Sequence, residues 1–202
     1  MRDTRDRLID AARALMTERG VLEVSIAEIT QRAEANIALV SYHFNGREGL
    51  MLAVAEADAE LTLADLDRLV AADVAASEKI RRHITAIVHV YGQRPYLNRL
   101  LQKVLREGTH ETARHVADLF VRPIANARRQ IINAGIAAGE FRRVDPELIS
   151  FAIDGACAQI FTSPEAREAV LDDSRMSIEL LERYAASTAE LVIAGLMAHP
   201  PA

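Results

Sequence analysis

Few residues in this chain are arranged for covalent or metal chemistry. His110-Glu111 followed by His115 approaches the H-E-x-x-H of helical zinc sites, but the second imidazole comes one residue too late and turns off the face of the first. His83 and His89 stand six apart, again on different faces of a helix. Cys157 is alone among apolar residues, no Gly-rich phosphate loop is present, and Ser, His and acidic residues form no local triad signature. No catalytic residue, metal or cofactor is therefore expected. The chemistry that the residue types do support is hydrogen bonding to an anionic, edge-rich surface. Ser25, Ser41, Tyr42, His43 and Arg47 supply donors within 23 residues, and the apolar Ile37, Ala38 and Leu39 stand among them.

Two short helices must position these groups. Ser25 with Glu28 three residues on is a capping box, in which each side chain satisfies an orphan backbone N–H. Ile26, Ile29 and Ala33 then recur at helical spacing, and Glu34-Ala35 form a turn. Asn36 is a good N-cap for a second helix of under two and a half turns, with Val40 and Phe44 on its inner face. Two short helices joined by three or four residues make a helix-turn-helix. Its second helix enters the major groove and presents side chains to base edges.

At these residues the chain resembles the N-terminal domain of the tetracycline-repressor (TetR) family of transcriptional regulators. The resemblance rests on Ser25-Ile26-Ala27-Glu28-Ile29, Ala33, Ser41-Tyr42-His43-Phe44 and Arg47-Glu48-Gly49-Leu50. It covers residues 4 to 55 without gaps and is architectural beyond. It implies that Tyr42 and His43 donate to phosphates. Ser25 and Arg47, each at a helix amino end, suit the same role. Ile37, Ala38 and Leu39 would sit against thymine methyl groups, and Ser41 would bond a base edge or a phosphate. Leu39 has an alternative, packing into the hairpin core, and His43 could pack under the fourth helix. The chain departs from the family where a turn glycine is replaced by Glu34, so a left-handed backbone there is expected to be strained.

Composition sets the outer bounds. With 202 residues, half of them apolar, the chain has ample material for a core, and one cysteine excludes an internal disulfide framework. No apolar run is long enough for a signal peptide or a membrane span, so a soluble cytoplasmic protein is expected. The net charge is −5 overall, and residues 1 to 50 hold seven Arg and no Lys against eight acids, a balance of −1. A DNA-binding head must then concentrate its cations locally, with Arg32, Arg47 and Arg5 expected at the groove.

The remaining pattern is helical throughout, so the expected fold is all-α with about nine helices. A three-helix DNA-binding domain would occupy residues 1–46, and a helical effector-binding and dimerisation domain residues 47–202. The spacing predicts helices over about 4–19, 47–70 (buried stripe Leu50, Met51, Val54, Ala57, Leu61), 77–92, 95–108, 111–138 with a kink at Pro123, 146–162 and Arg175 to Met197. Leu181, Tyr184, Ala185, Thr188, Leu191, Val192, Gly195 and Leu196 form one seam of the last helix. The last two long helices are expected to pair with their copies in a homodimer, as the resemblance also implies. Polar or aromatic residues of the helical body, His89, Tyr91, Gln102, Phe120, Asn126, Asp154 and Phe161, are candidates to orient a small-molecule effector. The expected function is a repressor released from a palindromic double-stranded DNA operator by that effector. The alternative is a helical small-molecule-binding protein or enzyme that does not act on DNA.

Overall fold

The computed structural model describes residues 3–20, 22–171 and 176–198, without the side chains of Glu60 and Leu61. Its α-helices are α1 (Thr4–Arg19), α2 (Ile26–Arg32), α3 (Ala38–Phe44), α4 (Arg47–Ala71), α5 (Ala76–Gln93), α6 (Pro95–Glu107), α7 (His110–Val116), α8 (Arg122–Ala137), α9 (Pro146–Thr162), α10 (Pro164–Leu171) and α11 (Ile178–Leu196). Among the described residues there is no strand beyond one antiparallel bridge between Phe141 and Met197. The fold is all-α, and none of its described helices is long and apolar enough to cross a membrane. The helices group into two compact units, one of residues 1–62 with 93–120, the other of residues 63–92 with 121–202. Residue 46 falls inside the first unit, at the turn before α4.

In the first unit, α1 buries Leu8, Ile9, Ala12, Leu15 and Met16 and stops at Gly20, whose φ of 64° is a left-handed helix end. The capping box of α2 forms: the Glu28 N–H donates to Ser25 Oγ, and the Ser25 N–H donates to the Glu28 carboxylate at 2.9 Å. That carboxylate, which also pairs with Arg19, is held down to about 2, first by its hydrogen bond from the Ser25 side chain. Two donors from Ser25 therefore favour its ionised form. In α4, Leu50, Met51 and Val54 are buried and Ala57 is half-buried; Leu61 lies outside the residues whose side chains are described. The stripe also contains Asp58, fully buried, which the apolar periodicity passed over.

The turn between α2 and α3 sits in the left-handed region, with Glu34 at φ 50°. A β-carbon there crowds the following carbonyl, which costs about 1–2 kcal/mol. Glu34 is exposed, and among the described residues its side chain makes no hydrogen bond or ion pair that would be lost on its removal. Glu34→Gly should therefore stabilise the chain by about 1 kcal/mol in thermal unfolding, less the entropy gained by the unfolded glycine. A lower melting temperature would mean that the turn is not strained.

The predicted 111–138 helix is interrupted rather than kinked. Residues Ala117–Val121 form a π-helical turn between α7 and α8. In a regular helix the ring of Pro123 would meet the carbonyl of residue 119. The wider turn moves that carbonyl away, and Pro123 falls in the first turn of α8, where its missing N–H has no partner to lose.

The second unit is built around Ile80, Ile84 and Val88 of α5, Ile131 and Ile132 of α8, Ile153 and Cys157 of α9, and Ala185, Ala189 and Ile193 of α11. Two glycines permit close approach here. A β-carbon at Gly135 would lie 2.3 Å from the Phe141 ring, and one at Gly92 2.8 Å from Leu181. Gly92 therefore lies inside the last turn of α5 and does not end it, as its sequence position suggested. Asp145 caps α9 through the N–H groups of Glu147 and Leu148. Arg175, the predicted start of the last helix, lies outside the described residues; α11 is capped by Ser177. Its inward seam is Leu180, Ala185, Thr188, Ala189, Ile193 and Leu196, whereas Leu191 and Gly195, placed on that seam by spacing, face outward.

Candidate nucleic-acid interface

The reading helix α3 has seven residues, and its burial divides it cleanly. Val40 and Phe44 are in the core of the head, Ile37, Ala38, Ser41 and Tyr42 are exposed, and Leu39 and His43 are half-buried at the border. The N-cap is Ile37, already in helical conformation, and not Asn36 as expected; the Asn36 side-chain carbonyl accepts the Ala38 N–H at 2.9 Å in a turn one residue earlier. The Tyr42 ring is 80% exposed and stands edge-on to His43, their centroids 4.9 Å apart. A large aromatic held this far from its own core has its hydroxyl free to reach a partner outside the chain.

The cations of the head are largely committed. Arg32 forks onto Glu18 at 2.5 and 2.6 Å, Arg19 pairs with Glu28 at 2.7 Å, and Arg13 reaches the buried Asp58 at 2.8 Å. Arg47 donates to the Leu22 carbonyl at 2.9 Å, tying the start of α4 to the α1–α2 connection. Arg5 lies over the Phe44 ring at 5.6 Å. Of the expected cluster, Arg32 neutralises an acid of the head itself, whereas Arg47 is held by a backbone carbonyl and Arg5 by an aromatic ring. Ser25, with its hydroxyl donating to Glu28 at 2.7 Å, is likewise engaged in the cap.

In the second unit the candidate effector residues are only partly brought together. Tyr91 and Phe161 meet edge-to-face at 5.8 Å, Tyr184 packs on Phe161, and the Tyr184 hydroxyl donates to the Ala156 carbonyl. Asp154 stands near Tyr91; burial first, then this carboxylate, pushes the Tyr91 hydroxyl above the ordinary tyrosine range, so it remains a donor. Asn126 is exposed and accepts from Arg129, and His89 pairs with Glu182 at 3.1 Å. Gln102 and Phe120 belong to the first unit, Gln102 exposed and Phe120 buried. The histidines set aside above have separate partners: His110 meets Arg114 at 3.2 Å, and His115 meets Glu56 at 2.8 Å. Cys157 is fully buried, and burial pushes its thiol up to about 12.

A polar cluster that sequence reasoning missed lies beside this aromatic group. Arg128, 1% exposed, donates Nε to His83 Nε2 at 2.9 Å, Nη1 to the Ser150 hydroxyl at 2.8 Å and carbonyl at 3.0 Å, and Nη2 to Asp154 at 2.7 Å. Accepting from a guanidinium requires a neutral imidazole; burial, then the Arg128 charge, lowers His83 to about 3. Its reference value is 6.5, so below that pH the unfolded chain takes up a proton that the folded chain refuses. The stability tied to neutral His83 is complete above pH 6.5 and is lost as pH falls toward 3. Between pH 6 and 4 the urea midpoint should drop by the equivalent of about 1 kcal/mol per pH unit from this residue, and His83→Gln should flatten the profile by that amount. Parallel profiles for the two proteins would refute it. The sequence signal was present: Ala127, Arg128, Ile131 and Ile132 share an inward stripe, and a cation on such a stripe must find acceptors.

Family comparison decides what the head belongs to. Residues 8–54 match the model of bacterial regulatory proteins of the tetR family, and residues 73–201 match that of the tetracyclin repressor-like C-terminal domain. The chain belongs to the TetR family. Its TetR head is 40% identical over 48 residues to the probable HTH-type transcriptional regulator YttP of Bacillus subtilis, a match spanning 24% of this chain and 23% of that protein. The whole fold is similar to a tetR-family regulatory protein from Rhodococcus RHA1, with a TM-score of 0.77 and 21% identity over 99% of this chain and all of the other. It is also similar to FadR from Bacillus subtilis, solved with stearoyl-CoA, at TM-score 0.74 and 19% identity over 96% and 99% of the two chains. This TetR-family chain is therefore a helix-turn-helix transcriptional regulator, and a helical protein unconnected with DNA is not favoured.

Proposed function

We propose that the chain is a dimeric, cytoplasmic repressor that reads a palindromic operator with α3 and leaves it when a small molecule enters the helical body. The observation that carries the reading is the exposure of Ile37, Ala38, Ser41 and Tyr42 on a helix whose opposite face is locked by Val40 and Phe44. Tyr42 and Ser41 then contact phosphates and base edges, Ile37, Ala38 and the border residue Leu39 read thymine methyls, and His43 supports Tyr42. Ser25 and Arg47 contribute to phosphate binding with the helix ends they already brace. In functional terms, residues 1–46 read DNA and residues 47–202 carry dimerisation and effector binding.

A twofold partner is supported by the apolar face that α9 and α11 leave uncovered. Phe151 is 73% and Leu191 72% exposed, and among the described residues an added β-carbon at Gly155 or Gly195 would meet nothing within 4 Å beyond its own stretch of helix, so a second backbone can approach closely. The aromatic group of Tyr91 and Phe161 with Asp154 is the favoured effector position, and the stearoyl-CoA of the B. subtilis FadR structure supports a small-molecule occupant of such a body. Selection from random duplex DNA should return inverted repeats with half-site centres about 34 Å apart. Light scattering should give a dimer that Phe151→Glu with Leu191→Glu converts to a monomer. A monomeric wild type, or selection that returns no sequence, would overturn the reading.

A further inference from the structure

The most costly group in the first unit is one that neither the DNA contacts nor the effector site uses. Asp58, in the middle of α4, has no solvent exposure. A carboxylate is buried this way only if partners replace its water, and here they come from two other helices. Arg13 of α1 approaches one oxygen at 2.8 Å with Arg94, just before α6, at 3.7 Å; the Tyr96 hydroxyl of α6 donates to the other at 2.7 Å. Helix α6 holds α1 a second time, through Arg99 donating to the Gly20 carbonyl at 3.2 Å.

Apolar contacts between helices tolerate sliding, because dispersion and burial are non-directional. A charged hydrogen bond is directional and loses most of its strength within an ångström. The Tyr96–Asp58 hydrogen bond therefore fixes the register of α6 on α4, the Arg13 ion pair, which lacks hydrogen-bond geometry, draws α1 to the same carboxylate, and α1 packs directly on α2 of the helix-turn-helix. We propose that Asp58, Arg13 and Tyr96 form a positioning node for the reading helix, setting its presentation to DNA without touching it. Any displacement of the start of α6 pulls Tyr96 and Arg94 from Asp58 and frees the head to tilt. This inference rests on the operator-binding reading above.

The test uses the full-length chain and an operator selected by the wild type from random duplexes. That operator is remade with its half-sites one base pair closer and one farther apart. The wild type should lose about tenfold affinity for each shifted operator, the size of one lost specificity contact. Tyr96→Phe and Arg13→Gln should bind all three spacings within about twofold of one another, with folded fractions matching the wild type by stoichiometric titration. Variants that keep the wild-type spacing preference, or that lose affinity on every spacing only in proportion to their folded fraction, overturn the node. If either variant fails to fold, Arg94→Gln and Arg99→Ala, which loosen α6 from Asp58 and from the end of α1, must reduce the spacing preference or the proposal falls. A wild type that selects no operator sinks the regulator reading instead.

Discussion

Tyr42→Phe should lower operator affinity by about two orders of magnitude while leaving its salt dependence unchanged. The hydroxyl is the only atom removed, the ring is mostly solvent-exposed, and its edge contact with His43 survives in phenylalanine. A neutral donor to a phosphate is worth about 1.5 kcal/mol, and a twofold dimer loses it in both half-sites, so the deficits add to roughly 3 kcal/mol. Because no cation is removed, the slope of log affinity against log salt should stay put. The loss should be uniform across operator sequences, whereas Ile37→Ala should alter sequence preference, since it removes an apolar contact to base edges. Fluorescence anisotropy over a salt series measures both quantities. A change below threefold would show that Tyr42 does not reach the phosphate backbone.

The largest stability effect should come from Arg128→Met. The variant keeps the apolar stem of the side chain but removes five donors from a site where His83 and Ser150 have no water to turn to. Removing one member of a buried charged network costs about 3–5 kcal/mol, a large share of a typical domain stability of about 5–15 kcal/mol. Asp154→Asn should cost much less, because that carboxylate is 54% exposed and water replaces the lost pair. Urea unfolding followed by circular dichroism gives both values. Equal losses in the two variants would mean that the network is held from Asp154 and not from Arg128.

The sequence revealed most where one residue type has one physical use. The Ser25–Glu28 box, the Gly20 stop, the Asp145-Pro146-Glu147 start and the inward pair Val40 and Phe44 are local, so spacing alone located them. The division of α3 into exposed and buried faces followed from the same rule. What it hid depends on distance in space. Arg128 and His83 are 45 residues apart and Asp58 and Tyr96 are 38 apart, so no window joins them. The commitment of Arg32 to Glu18 and of Arg47 to the Leu22 carbonyl was hidden for the same reason. The π turn before Pro123 was unreadable because periodicity distinguishes helix from strand but not a regular turn from a wide one.

Cys157 has a practical corollary. Thiol reagents attack the thiolate and need access, and the only cysteine of the chain offers neither. A maleimide dye should therefore pass over the native protein, and Gln31→Cys, at an exposed position of α2 outside the proposed contacts, would give a single addressable probe able to report operator docking by fluorescence without further engineering.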